Sequence, residues 1–147
     1  MTIVYDKSMS EFLAQSPYDY DPKQKRLVVS NAEEFPEEII TKFPDVEHLD
    51  MRHGTMTDLP DTFSRLTNLK VALFSNNEFA HIPPVIGETS LAVVAFQACK
   101  LEEIPEHSLP VTLRGLSLAN NHLSSLPASM GDLSNLQKLT LADNMLE

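Results

Sequence analysis

Four prolines, each preceded by Leu or Ile, recur at a nearly constant interval, and a fixed period of that length leaves few folds open to the chain. Leu59-Pro60, Ile82-Pro83, Ile104-Pro105 and Leu126-Pro127 stand 23, 22 and 22 residues apart, and Phe35-Pro36 lies 24 residues upstream as a weaker member of the series. Self-similarity at 20–50 residues marks a solenoid or another repeat array. In a solenoid each repeat is a supersecondary unit that buries its apolar face only against its neighbours.

Aligned on the prolines, the segments share one apolar template. The first clear repeat carries Val46, Leu49, Met51, Met56, Leu59, Phe63 and Leu66. The second carries Leu69, Ala72, Phe74, Asn77, Phe79, Ile82 and Ile86, and the third Leu91, Val94, Phe96, Cys99, Leu101 and Ile104. The fourth carries Leu113, Leu116, Leu118, Asn121, Leu123, Leu126, Met130 and Leu133, and a fifth starts with Leu136, Leu139, Leu141, Asn144 and Leu146. The boundaries expected are 46–68, 69–90, 91–112 and 113–135, with a partial repeat at 136–147. Upstream, 23–45 reads as a degenerate first repeat with Leu27-Val28-Val29 as its strand, so the repeat domain covers 23–147.

Each template position has a physical reason. The L-x-L step alternates with period two, so Leu116 and Leu118 face inward from a short strand while their neighbours face out. An inward Asn beyond the strand can hydrogen-bond backbone groups that burial would leave costly, and stacked Asn residues form a ladder. Asn77, Cys99, Asn121 and Asn144 occupy that slot, Cys being a small residue that tolerates burial. Gly54 fills it in the first clear repeat, where no side chain can join the ladder. Proline suits the convex arc, where no ladder needs its missing N–H.

The pattern L-x-x-L-x-L-x-x-N/C-x-L resembles leucine-rich repeats of the typical cytosolic L-x-x-L-P kind, over Met51 to Leu146. The resemblance implies an α/β leucine-rich-repeat solenoid: a right-handed superhelix with a parallel β-sheet on its concave face and short helical or irregular convex segments. The run Leu109-Pro110-Val111-Thr112-Leu113-Arg114-Gly115-Leu116, with Phe74-Ser75-Asn76-Asn77 and Phe96-Gln97-Ala98-Cys99, is similar to the repeat region of bacterial leucine-rich-repeat protein kinases. In that family a kinase domain follows the repeats. No Gly-rich loop, H-R-D or D-F-G set occurs here, so a kinase link would run through sequence beyond this chain.

Composition narrows the partners. The net charge is -10 with only 11 Lys and Arg, and phosphate backbones and anionic membranes are bound chiefly through such cations. Neither nucleic acid nor membrane is therefore expected. The single cysteine, Cys99, excludes an intrachain disulfide. The start Met1-Thr2-Ile3-Val4-Tyr5-Asp6 has no signal-peptide character, and no stretch approaches 18 apolar residues, which points to the cytoplasm. Residues 1–22 read as an N-terminal capping segment. Within it Ser8-Met9-Ser10-Glu11 would start a short helix and Pro17, Tyr18, Tyr20 and Pro22 would end it. The composition, without Trp and with 7% aromatics, suggests stacked aliphatic ridges. The last repeat stops at Leu146-Glu147, halfway through its period, so self-association through an open end is one expectation and a longer parent chain another.

The concave sheet is the usual binding face of such a fold, and the register names its outward positions. Glu47, His48, Asp50, Arg52 and His53 come from the first clear strand, then Lys70, Val71, Leu73, Ser75 and Asn76. Ala92, Val93, Ala95, Gln97 and Ala98 follow, then Arg114, Gly115, Ser117, Ala119 and Asn120, and last Gln137, Lys138, Thr140, Ala142 and Asp143. The partner-binding set expected is His48, Asp50, Arg52, Lys70, Val71, Leu73, Ser75, Val93, Ala95, Gln97, Arg114 and Ser117. Val71, Leu73, Val93 and Ala95 form its apolar centre, the pattern of a protein-binding patch with a polar rim. No catalytic residue and no cofactor is expected. His48, His53, His81, His107 and His122 fall at unrelated repeat positions, and the spacing of His48 and His53 puts them on opposite sides of a regular strand, so no metal site is expected. The function these features imply is a non-catalytic protein-interaction module in intracellular signalling or scaffolding, or alternatively the regulatory repeat region of a protein kinase.

Overall fold

The computed structural model describes residues 17–146, so the helix expected from Ser8 lies outside them. Among the described residues seven strands build one sheet in chain order: β1 (Tyr18–Asp21), β2 (Arg26–Val29), β3 (His48–Asp50), β4 (Val71–Leu73), β5 (Val93–Ala95), β6 (Gly115–Ser117) and β7 (Lys138–Thr140). From β2 to β7 every pairing is parallel and shifted by one repeat, so Leu27, Leu49, Ala72, Val94, Leu116 and Leu139 form one inward row. Between strands the chain returns through short segments. These are the single-turn helix α1 (Ile39–Lys42) and 3-10 turns at Asp61–Arg65, Pro84–Glu88 and Ala128–Asp132. Pro60, Pro83 and Pro127 sit just before those turns, where a missing N–H costs nothing. The architecture is an α/β solenoid with its sheet along one face.

The first strand adds an element that the repeat pattern did not name. Tyr18–Asp21 pairs antiparallel with β2, Tyr18 opposite Val29 and Tyr20 opposite Leu27. The cause is the alternation Tyr-Asp-Tyr-Asp, a period-two pattern that places both rings on the core side. They pack on Phe43, at centroid distances of 5.6 and 4.8 Å. Asp21 Oδ1 accepts from the amides of Lys23 and Gln24 and closes the hairpin.

The core also departs from the aliphatic expectation. Phe35, Phe63, Phe74, Phe79 and Phe96 are buried and touch in sequence across four repeats, at 5.1–5.9 Å between ring centres. Phe74 and Phe96 take the second inward strand position that Leu118 takes later, so successive rungs bring ring onto ring. Edge-to-face and offset contacts of this kind add about 0.5–1.5 kcal/mol each beyond area burial.

Beyond the strands the polar ladder runs through the slot that follows them. Asn77 Nδ2 donates to the carbonyls of Met51 and Phe74, and its Oδ1 accepts from Met56 N. Asn121 repeats this with Phe96 and Leu118 as acceptors and the amides of Cys99 and Leu101 as donors. Cys99 donates its thiol to the Phe74 carbonyl at 3.2 Å, and burial pushes that thiol up to about 11. Gly54 answers a packing need: a Cβ there would lie 2.4 Å from the Ala32 carbonyl and 2.7 Å from Asn77 Oδ1. The residue before each slot is left-handed, at Asn31, His53, Asn76, Ala98, Asn120 and Asp143, with φ between 53° and 64°. Asn and Asp take this conformation readily, whereas Ala98 pays a steric cost for it.

Candidate functional site

The outward side of the sheet has two rows set by the strand register. Arg26, His48, Val71, Val93, Gly115 and Lys138 form the first row, and Val28, Asp50, Leu73, Ala95, Ser117 and Thr140 the second. Their chemistry changes along the solenoid from charged, to apolar, to small and polar.

The charged end is internally neutralised. Asp50, with its side chain only 6% exposed, takes Arg52 through two hydrogen bonds of 2.9 and 2.8 Å and Arg26 at 3.5 Å. Burial alone would raise its carboxyl. The Arg52 hydrogen bonds and the two guanidinium charges outweigh that and hold it below the usual range. His48 stands beside this group, half-buried, with Nε2 covered and unpaired; burial first, then the Arg26 charge, lowers its imidazole. At the rim Glu47 accepts from Lys70 at 2.8 Å and from Lys25 at 3.5 Å.

In the middle, Val71, Leu73 and Ala95 are half-buried and Val93 is 37% exposed. Toward the last rungs the face dips between β5 and β7. This concavity of about 220 Å³ is lined by Val93, Ala95, Gly115, Ser117, Lys138 and Thr140, among others. Gly115 makes the dip: a Cβ there would reach only to 3.6 Å from the Val93 side chain, so the space it leaves is open. Ser117 and Thr140 hydroxyls bond across the rungs at 2.8 Å and form its polar edge.

Several residues of the expected partner-binding set are therefore placed differently from one another. Val71, Leu73, Val93, Ala95 and Ser117 lie together on the open face, and Lys70, Gln97, Arg52 and Arg114 are exposed around it. Asp50 and Ser75 are corrections. Both are 4% exposed, Asp50 under its two arginines and Ser75 where its Oγ accepts from Gln97 N, so neither is free to meet a partner. Arg26, Gly115, Lys138 and Thr140 belong to the face and stand outside that set. Arg26 lies in the degenerate repeat, and the other three acquire meaning only from neighbours one repeat away. Among the described residues no group of three or more His, Cys, Asp or Glu is placed to hold a metal ion, and no helix is long and apolar enough to cross a membrane.

Comparison with known proteins agrees with the architecture. Residues 112–133 match the family model described as Leucine Rich Repeat. A Drosophila melanogaster leucine-rich repeat and calponin homology domain-containing protein is 31% identical over 115 residues, 77% of this chain and 14% of that protein. The chain thus spans a small part of this relative's length. Among solved structures, the TLR13–ssRNA13 complex superposes with a TM-score of 0.72 at 23% identity, over 83% of this chain and 18% of that one. The leucine-rich-repeat part of FLRT2, in an octameric complex with Latrophilin 3 and Unc5D, gives 0.64 at 26% identity, over 81% and 39%.

Proposed function

We propose that this chain, a leucine-rich-repeat solenoid, is a non-catalytic module that binds a protein partner across its outward sheet face, in a cytoplasmic signalling or scaffolding role. One observation carries the reading. The apolar side chains of Val71, Leu73, Val93 and Ala95 lie side by side on a sheet face that no segment of the described chain covers, with Lys70, Gln97 and Arg114 exposed around them. An apolar centre with a polar rim is the composition of a protein interface. FLRT2, whose repeats are similar in fold, stands in a complex with two other proteins. The RNA complex of TLR13 speaks to the fold alone, and the charge of -10 works against phosphate binding here. A regulatory region beside a protein kinase is a narrower form of the same reading. It adds a catalytic domain on adjoining sequence and leaves the chemistry of the face unchanged.

The test is selection of binders from a displayed library of protein fragments, followed by measurement against Leu73→Asp/Val93→Asp. Both residues point away from the core, so the double variant keeps its far-ultraviolet dichroism and melting cooperativity while affinity falls at least a hundredfold. Binders that hold the double variant as tightly as the parent refute the reading.

A further inference from the structure

We infer that the dip at Gly115 is the anchor of this face and takes one aliphatic side chain of the partner flanked by carboxylates. The inference rests on the proposed binding face and names its occupant. Size comes first. At about 220 Å³ the concavity is smaller than the 300–1,000 Å³ typical of cofactor and drug-sized ligands, and fits a side chain better than a whole small molecule. Its walls are Val93 and Ala95, and its floor is open because Gly115 carries no Cβ. Apolar side chains seated in such central pockets carry much of the energy of protein interfaces.

Charge then selects the flanks. Six cations stand on or beside the outward rows: Lys25, Arg26, Arg52, Lys70, Arg114 and Lys138. Four are matched, Arg26 and Arg52 by Asp50 and Lys25 and Lys70 by Glu47. Lys138, on the wall of the dip, and Arg114, the residue before Gly115, have no carboxylate within ion-pair distance among the described residues. In a chain of net charge -10, two exposed and unmatched cations beside the apolar dip complement an acidic partner segment and disfavour a basic one.

The probes are three acetylated, amidated tripeptides, Asp-Leu-Asp, Asn-Leu-Asn and Lys-Leu-Lys, titrated to millimolar concentration against the ¹⁵N-labelled chain. The Asp-Leu-Asp peptide shifts the amides of Gly115, Ser117 and Thr140 and binds about two- to fivefold tighter than Asn-Leu-Asn, the size of an exposed ion pair. Lys-Leu-Lys binds weakest. Arg114→Gln/Lys138→Gln removes the preference for Asp over Asn, while Gly115→Val, which fills the dip on a strand that favours Val, abolishes shifts from all three. Retained amide dispersion in both variants shows that they are folded. Equal binding of the Asp and Lys peptides, or shifts that survive Gly115→Val, overturns the anchor. Shifts confined to Val71 and Leu73 also overturn it while leaving the broader face intact. No shift from any peptide at millimolar concentration overturns it too, whereas the broader face falls only if the Leu73→Asp/Val93→Asp variant binds as the parent does.

Discussion

Replacing Asn121 by Ala should cost this solenoid a large share of its stability. Asn121 is 4% exposed, and its side chain ties its own rung to the preceding one. Its Oδ1 accepts from Cys99 N at 2.9 Å and Leu101 N at 3.0 Å, and its Nδ2 donates to Phe96 O at 2.8 Å and Leu118 O at 2.9 Å. The Leu118 carbonyl keeps a second donor in Asn144, so alanine strands two amides and the Phe96 carbonyl. A buried group left unsatisfied costs about 1–3 kcal/mol. Three of them, with water entering to relieve part of the loss, give about 3–5 kcal/mol, against a total of about 5–15 kcal/mol for an ordinary domain. Asn144 makes the same kinds of bond, yet it is half-buried on a rung where Leu139 is 38% exposed, so Asn144→Ala should cost about 1 kcal/mol. Urea unfolding followed by circular dichroism measures both. Equal losses for the two variants, or a loss below about 1 kcal/mol for Asn121→Ala, would refute the argument that burial sets the strength of the ladder.

Gly54→Ala should destabilise by about 2–3 kcal/mol, because the new Cβ meets the Ala32 carbonyl and Asn77 Oδ1, and its melting temperature reads the loss. Ala98→Gly should do the opposite and add up to about 1 kcal/mol by relieving a non-glycine residue at φ 53°, visible as a raised urea midpoint. Acidification should weaken the fold in two stages. The His48 imidazole is lowered in the folded state, so the unfolded chain takes up its proton first and stability falls as pH drops below about 6.5; Asp50, held low by Arg52 and Arg26, extends the loss below about pH 4. Urea midpoints at several pH values follow this, and His48→Gln should flatten the first stage. Cys99, buried and with its thiol raised to about 11, should alkylate with iodoacetamide only at the rate of unfolding, whereas fast labelling of the native chain would contradict its place in the ladder.

Most of the solenoid was legible because its constraints repeat. A 22-residue interval with Leu, Asn and Pro in fixed places names the strands, the inward rows and the ladder slots without any tertiary information. What the sequence left hidden depends on contacts between repeats or on a pattern used once. The β1 strand showed only as the alternation Tyr18-Asp19-Tyr20-Asp21, easily overridden by the prolines at 17 and 22. The phenylalanine cluster could not be read from a 7% aromatic content, because register concentrates Phe74 and Phe96 on adjacent rungs. Asp50 reads as an outward acid until Arg26, 24 residues earlier, closes over it. Gly115 looks like a weak strand residue alone, and becomes the floor of a dip only between Val93 and Lys138.

The most direct test of the account is the footprint of a selected protein binder on the ¹⁵N- and methyl-labelled chain. The account places the footprint on Val71, Leu73, Val93, Ala95 and Gly115–Ser117, the outward side of β4, β5 and β6. A footprint on the opposite side, over the turns Pro84–Glu88 and Ala128–Asp132 with the sheet face unperturbed, would contradict it.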